Sequence, residues 1–198
     1  MKNPPLPTQI VLASTSSYRA SLIKQLGLEF TTEAPNFIEE HTSESQPKQI
    51  AEFFAQGKAL SLKDKYKQHL IIGSDQTASL EGRLLTKPGT IDRACDQLER
   101  CAGKQVTFYT GLALLNSQTN RLQSCVDTIE VSFRKLTQNQ IENYVKRELP
   151  LDCCGSFKVE GLGISLFTSI NGKDPNSLIG LPLIDLVTFL NKEGVNIP

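Results

Sequence analysis

Short apolar runs alternate along the chain with segments in which apolar residues recur every three or four positions. The runs at residues 10–13 and 70–74 are continuous, which is typical of buried strands. The segments that follow them have the periodicity of amphipathic helices. Strand-like and helix-like segments in alternation predict an α/β fold.

The helical periodicity predicts five helices. Pro47 suits the first turn of the second helix, and Thr137 with Gln140 forms a capping box ahead of the fourth. Gly27 and Gly103 suit the ends of the first and third helices. The predicted buried positions are Leu22, Ile23 and Leu26; Ile50, Phe53, Phe54 and Leu60; Ala94, Leu98 and Cys101; Ile141, Tyr144 and Val145; and Leu183, Leu186, Val187 and Leu190.

The longest strand candidates are residues 106–116 and 125–135. They lie on either side of a polar turn at residues 117–120, which predicts an antiparallel hairpin. Together with the buried strands that precede helices, this hairpin predicts a mixed central sheet. No repeat, linker or charge block divides the chain, so residues 1–198 are predicted to form one domain.

Composition and charge exclude several classes of protein. The chain has 21 basic and 21 acidic residues and a net charge of +0, which argues against a nucleic-acid-binding protein. No apolar run reaches the ~20 residues of a membrane helix, and no hydrophobic signal segment is present. We therefore expect a cytoplasmic protein without a membrane partner. The 5 cysteines form no CxxC pair, which predicts reduced thiols rather than zinc ligands.

A Ser/Thr cluster follows the first predicted strand, in LASTSSYR at residues 12–19. Hydroxyls and backbone amides at a helix start form a natural anion site, so Ser14 is a candidate phosphate contact. Arg19 in the first turn opposes the helix dipole and would favour an anion nearby. An ordinary N-cap needs only one serine, so phosphate binding and simple capping both remain open.

Several charged residues are candidates for chemistry. Asp75 is predicted to lie at the end of an apolar strand, where carboxylates serve as metal ligands or general bases, although a turn-forming Asp fits equally well. Glu39 and Glu40 form an acidic pair, and Lys58 and Lys87 are separated cations. Taken singly, each of these four residues would be an ordinary surface charge.

Six ordered blocks of sequence are more specific than these single residues. They are LASTSSYRASLIKQLGLEF, GSDQ at residues 73–76, TKPG at 86–89, VTFYTGLALLN after Val106, GSFKVEGLGISLF after Gly155 and DPNSLIGLPL after Asp174. On these blocks, the chain resembles the Maf family of nucleoside triphosphate pyrophosphatases over nearly its whole length. The resemblance implies two lobes around a nucleotide-binding cleft, as in Maf and ITPase-like folds. It also implies hydrolysis to the monophosphate and pyrophosphate with a divalent cation, Mg²⁺ or Mn²⁺.

The resemblance also implies roles for individual residues. Asp75 would be the proton acceptor, and Glu40 would join it as a metal ligand. The loop between residues 35 and 47 aligns loosely, so Glu39 is an alternative to Glu40. The implied phosphate-binding residues are Arg19, Lys58 and Lys87. The family is frequently dimeric, so we expect a homodimer, with Phe and Leu side chains of the C-terminal segments as its surface.

Three positions depart from the commonest family pattern and suggest the substrate. Tyr18, Gln76 and Glu160 resemble the branch that acts on 7-methyl-GTP. The 7-methylguanine ring is cationic, so the face of Tyr18 would attract it. Glu160 would accept hydrogen bonds from the guanine N1 and N2 donors, and Gln76 would add an amide contact. The alternatives are a pyrophosphatase for dTTP or UTP, and a non-catalytic nucleotide-binding regulator of cell division.

Overall fold

A computed structural model describes residues 9–40 and 46–197 of the chain. These residues form seven strands and five α-helices. The strands are β1 (Gln9–Ala13), β2 (Phe30–Glu33), β3 (His69–Leu80), β4 (Arg83–Leu85), β5 (Gln105–Asn116), β6 (Arg121–Phe133) and β7 (Phe167–Gly172). The helices are α1 (Ser17–Gln25), α2 (Pro47–Ser61), α3 (Ile91–Cys101), α4 (Gln138–Glu148) and α5 (Leu183–Lys192).

The strands form one mixed sheet in the order β2-β1-β3-β5-β6-β7, with β4 paired to the end of β3. β1 is parallel to both β2 and β3, whereas β3, β5, β6 and β7 pair antiparallel. The predicted hairpin is the β5–β6 pair. The predicted α/β class with a mixed sheet is therefore confirmed.

The long strands β3, β5 and β6 carry two separate cores. One core packs the second half of β3 and the first half of β5 against α3, α4 and β7. The other packs the opposite halves of β3 and β5 with β1 against α1 and α5 on one face, and against α2 on the other. The two lobes thus share their central strands, and a cleft lies against the middle of β3, at residues 75–77.

Helix α2 lies unusually close to the sheet, and two glycines make this possible. A Cβ atom added to Gly73 on β3 would lie 2.1 Å from the carbonyl oxygen of Ala55, and one added to Gly111 on β5 would lie 2.1 Å from that of Ala51. Both distances are far below van der Waals contact. Helix and sheet therefore meet backbone to backbone, which fixes the height of α2 above the strands.

This close contact corrects the predicted face of α2. Phe53 and Leu60 were expected to be buried, but they are 58% and 43% exposed. Alanines lie where the helix meets the glycines, because only small side chains fit at that distance, and the larger buried side chains of Ile50, Phe54 and Lys58 lie beside them. The buried α2 positions are Ile50, Ala51, Phe54, Ala55, Lys58 and Ala59.

Two other expectations change. Strand β3 does not end before Asp75 but continues to Leu80, so the prediction of a strand-end carboxylate is wrong. Strand β7 was not predicted. Phe189 and the leucines of α5 are buried in the core, and the expected homodimer stays a prediction. All five cysteines are free thiols, and no helix among the described residues is long and apolar enough to cross a membrane.

Candidate active site

Side chains alternate between the two faces of the sheet along β3, so the residues of the GSDQ block contact two different parts of the chain. Gly73, Asp75 and Thr77 face α2, where the Thr77 hydroxyl donates to the carbonyl oxygen of Pro47 at 2.9 Å. Ser74 and Gln76 face the other way, toward the segment after β7. A central strand covered on both faces therefore tolerates these polar residues, because each finds a hydrogen-bond partner.

Asp75 pairs with Lys58, which α2 brings directly opposite it. The Lys58 Nζ lies 2.5 Å from Asp75 Oδ1 and 2.7 Å from Glu39 Oε1, so one ammonium joins two carboxylates. The side chains of Lys58 and Asp75 are only 8% and 12% exposed, whereas that of Glu39 is 51% exposed. The charged pair is therefore buried at the bottom of the cleft, and Glu39 closes it from the solvent side.

The surroundings of Asp75 change its acidity. Burial raises the pKa of the Asp75 carboxyl, and the charges of Lys58 and Arg19 offset only part of this rise. Burial is also the largest single influence on Glu39 and acts in the same direction. The hydrogen bond from Lys58 and the positive charges of Lys58, Lys87 and Arg19 together outweigh it, so the pKa of Glu39 is lowered. The two carboxylates around Lys58 are thus shifted in opposite directions, the pKa of Asp75 upward and that of Glu39 downward.

The N-terminus of α1 supplies the other side of the polar cleft. Ser14 is buried, and its Oγ accepts from the backbone N–H of Ser16 at 3.1 Å and lies 3.5 Å from Arg19 Nη1. Ser16 is the N-cap, accepting from the backbone N–H of Arg19. Burial lowers the pKa of the Arg19 guanidinium and the Asp75 charge opposes that change. Arginine nevertheless stays charged at neutral pH.

The cleft has a volume of about 690 Å³ and brings together most of the predicted site residues. Those that line it are Ser14, Tyr18, Arg19, Lys58, Asp75, Gln76, Lys87 and Glu160. Glu40 is exposed and does not line the cleft, whereas its neighbour Glu39 does. The structure therefore places Glu39, the alternative to Glu40, beside Lys58 and Asp75, and the metal-ligand role of either glutamate stays a prediction. Residues 41–45 of the same loop lie outside the described part of the chain.

Gln76 lies in the cleft, but its amide is already engaged. Its Nε2 donates to the carbonyl oxygens of Ser177 and Leu178 at 2.8 and 3.2 Å and lies 3.1 Å from Thr110 Oγ1. An amide nitrogen has two protons, so these contacts exhaust it. An amide contact of Gln76 with the substrate would therefore have to use its oxygen, Oε1, as an acceptor, and that contact stays a prediction.

Sequence reasoning missed the segment between α4 and the following 3₁₀ turn. Asp152, Cys153 and Cys154 all line the cleft, where the first two lie near Tyr18 and Cys154 lies near Asp75. Burial is the main cause that raises the pKa of Tyr18, and Asp152 and Cys153 add to it while Lys158 acts against it. The segment has neither periodicity nor a spaced motif. The only signal in the sequence for a functional role of this segment is its position after a helix and just before the GSFKVEG block.

The cleft offers two carboxylates, those of Glu39 and Asp75, to a divalent cation. Within residues 9–40 and 46–197, no group of three His, Cys, Asp or Glu side chains is placed to hold a metal. Glu39 and Asp75 nevertheless converge on one point, the Lys58 ammonium. Mg²⁺ commonly binds one or two carboxylates and takes its remaining ligands from water and substrate phosphates. The two carboxylates fit a cation of that kind.

Comparison with known proteins identifies the family of the chain. The family description "Maf-like protein" matches residues 9–193. A protein named 7-methyl-GTP pyrophosphatase from Hahella chejuensis is 56% identical over 96% of both chains. Proteins of the same name from Pseudomonas putida and Pseudomonas aeruginosa are 50% and 49% identical over 96% of this chain and 98% of theirs.

The fold has a more distant relative among solved structures. The Ham1 protein of Staphylococcus aureus superposes with a TM-score of 0.52 and 14% identity, over 93% of this chain and 99% of its own. At that identity the likeness concerns the fold alone. The match over residues 9–193, together with relatives at half identity or more, establishes that the chain belongs to the Maf family.

Proposed function

We propose that this chain hydrolyses 7-methyl-GTP to 7-methyl-GMP and pyrophosphate with the help of a divalent cation. The coarser assignment, a nucleotide pyrophosphatase of the Maf family, follows from the family and the names of the relatives. The observation that carries the chemistry is the buried Lys58–Asp75 pair, with Glu39 on one side and Arg19 on the other.

Asp75 is the proposed proton acceptor. It takes a proton from water as the water oxygen bonds to the α-phosphorus, and the bond from that phosphorus to the α–β bridging oxygen breaks. Pyrophosphate leaves with the electron pair of that bond, and Asp75 returns the proton to solvent. Burial supports this role because it raises the pKa of Asp75 toward the range of an effective base.

The cations of the cleft stabilise the charge that develops on the phosphates. Arg19 and Lys58 are held in fixed positions by Gly180 and by the two carboxylates, and Lys87 lines the rim. Fixed charges at the site of reaction need little reorganisation during the step, which makes them effective. A divalent cation held by Glu39 and Asp75 would add Lewis-acid stabilisation of the phosphate oxygens.

The other end of the cleft suits a cationic base. The Lys158 ammonium lies within hydrogen-bonding range of the Tyr18 hydroxyl. Among the described residues, the cation–π contacts are those of Lys65 with Tyr66 and of Lys192 with Phe189, so the positive charge lies at the edge of the Tyr18 ring and its face stays uncovered. A methylated guanine on that ring would gain roughly 1 kcal/mol or more when desolvated. Glu160 is exposed at the same end of the cleft, where its carboxylate can accept guanine donors and offset the charge.

The experiment is a comparison of kcat/KM for 7-methyl-GTP, GTP, dTTP and UTP with Mg²⁺ or Mn²⁺, measured as pyrophosphate release. We expect 7-methyl-GTP to be the best substrate. The variants Tyr18→Arg and Glu160→Gln should each reduce its advantage over GTP by about fivefold or more. Equal efficiency on GTP, or preference for dTTP or UTP, would reject the substrate while leaving the pyrophosphatase activity. Tight nucleotide binding without pyrophosphate release would favour the regulator instead.

A further inference from the structure

A glycine of α2 lies directly against an aromatic ring from the loop that carries Glu39. A Cβ atom added to Gly57 would lie 2.2, 2.5 and 2.6 Å from the Cε2, Cζ and Cδ2 atoms of Phe37, far below van der Waals contact. The same ring makes edge-to-face contacts with Phe54 and Phe53, at centroid distances of 5.7 and 5.9 Å. Phe37 therefore occupies a notch in α2 that exists because residue 57 has no side chain.

This notch adjoins the charged centre of the cleft. Gly57 immediately precedes Lys58, and Phe37 comes two residues before Glu39, so the ring contact and the 2.7 Å ion pair of Glu39 with Lys58 lie side by side. Ile38, between Phe37 and Glu39, is 76% exposed. The described residues 34–40 form neither helix nor strand, so side-chain contacts determine where Glu39 lies.

Two contacts could hold this loop on α2, the Phe37 ring and the ion pair of Glu39. The backbone hydrogen bond from the Glu40 N–H to the Ile38 carbonyl oxygen, at 3.1 Å, is internal to the loop. The Glu39 side chain is 51% exposed, and ion pairs open to water contribute little because solvent screens them. The ring contributes more, because it buries apolar surface against two other rings and the backbone of the helix.

We propose that Phe37 is a positioning residue for Glu39: its ring, fixed in the notch at Gly57, places that carboxylate at the Lys58 ammonium. The proposal rests on the proposed function, in which Glu39 and Asp75 receive the divalent cation. Gly57 belongs to the same arrangement, because a glycine inside a helix lowers the stability of the helix and here its missing side chain admits the ring. Loss of the ring contact should therefore weaken the contribution of Glu39 and leave the pair of Lys58 and Asp75 intact.

The first test is amide hydrogen exchange of residues 36–40, followed by mass spectrometry of the full chain. We expect Phe37→Ala to speed this exchange about tenfold and Glu39→Gln to change it less than about twofold, because the ring rather than the charge holds the loop. Gly57→Ala should displace the ring and speed exchange by a similar factor, although urea titration should find the variant at least as stable as wild type. Ile38→Ala is the matched control, since it shortens an exposed apolar side chain of the same loop and should leave the exchange unchanged.

The second test is the Mg²⁺ concentration that gives half-maximal pyrophosphate release in a single turnover. We expect Phe37→Ala to raise this concentration about fivefold in the Glu39 background and less than about twofold in the Glu39→Gln background. Equal rises in both backgrounds, or loop exchange that responds to Glu39→Gln as strongly as to Phe37→Ala, would overturn the proposal. A wild-type protein that releases no pyrophosphate would reject the proposed function, while the exchange measurement still decides whether Phe37 holds the loop.

Discussion

Asp75→Asn is the substitution that tests the chemistry most directly. The amide has the size of the carboxyl but cannot accept a proton from water, so the step loses its base. Positioned general bases contribute about 10²- to 10⁴-fold to rates, and we expect a loss of turnover in that range. In free energy this corresponds to roughly 3–5 kcal/mol of transition-state stabilisation.

The variant should still fold, for reasons visible in the cleft. Removing one member of a buried ion pair can cost about 3–5 kcal/mol when the other charge is left unpaired. Here Lys58 keeps Glu39 at 2.7 Å, and burial already disfavours the ionised form of Asp75. We therefore expect the free energy of unfolding to fall by less than about 2 kcal/mol, which urea titration would measure.

The assay follows pyrophosphate release under single-turnover conditions, with Glu39→Gln as the matched comparison. Both variants remove a carboxylate bound to Lys58, but only Asp75 is the proposed base. Raising the Mg²⁺ concentration should restore much of the activity of Glu39→Gln and none of that of Asp75→Asn. If folded Asp75→Asn retains turnover within about tenfold of wild type, Asp75 is not the proton acceptor.

Three further outcomes are expected from other parts of the structure. Lys58→Met should move the acid limb of the kcat/KM profile to higher pH. Burial raises the pKa of Asp75 and the Lys58 charge lowers it, so without that charge the pKa of Asp75 rises further. An unmoved limb, or one at lower pH, would contradict this. Gly111→Ala should lower the free energy of unfolding by roughly 3 kcal/mol in urea titration, because the added Cβ would lie 2.1 Å from a backbone oxygen of α2. A variant as stable as wild type would disprove this close contact. Asp152→Asn should lower kcat/KM for 7-methyl-GTP about threefold and leave kcat/KM for GTP unchanged, because it removes a negative charge that attracts the cationic base. Equal effects on both nucleotides would contradict a role of Asp152 in attracting that base.

The fold class was predictable because hydrophobic periodicity reflects burial, and most helices and strands are buried on one side. The extent of β3 was not. The polar residues from Ser74 to Ser79 look like a turn, yet they continue a central strand, because neighbours on both faces satisfy their hydrogen bonds. Strand β7 escaped prediction because it is largely exposed and lacks the alternation of a half-buried strand.

The candidate site was predictable to the level of its sequence blocks and no further. The residues around Glu39 and Glu40 do not indicate which of the two side chains contacts Lys58, because an irregular loop has no regular repeat of side-chain directions. Gln76 was correctly placed in the cleft, but its hydrogen bonds join it to a segment about a hundred residues away. Contacts of that range depend on the folded topology, so local spacing could not reveal them.

Because β3 and β5 are paired in register from Leu70–Asn116 to Leu80–Val106, they run through both lobes without interruption. A hinge normally places its rotation in a few residues of a connecting loop. Here such a rotation would have to bend or shear a hydrogen-bonded ladder. The cleft should therefore be rigid, and the distance between its two walls should stay constant while nucleotides bind and dissociate. Adjustment to a substrate then depends on rim side chains, such as those of Lys87 and Glu160, rather than on swinging of whole lobes.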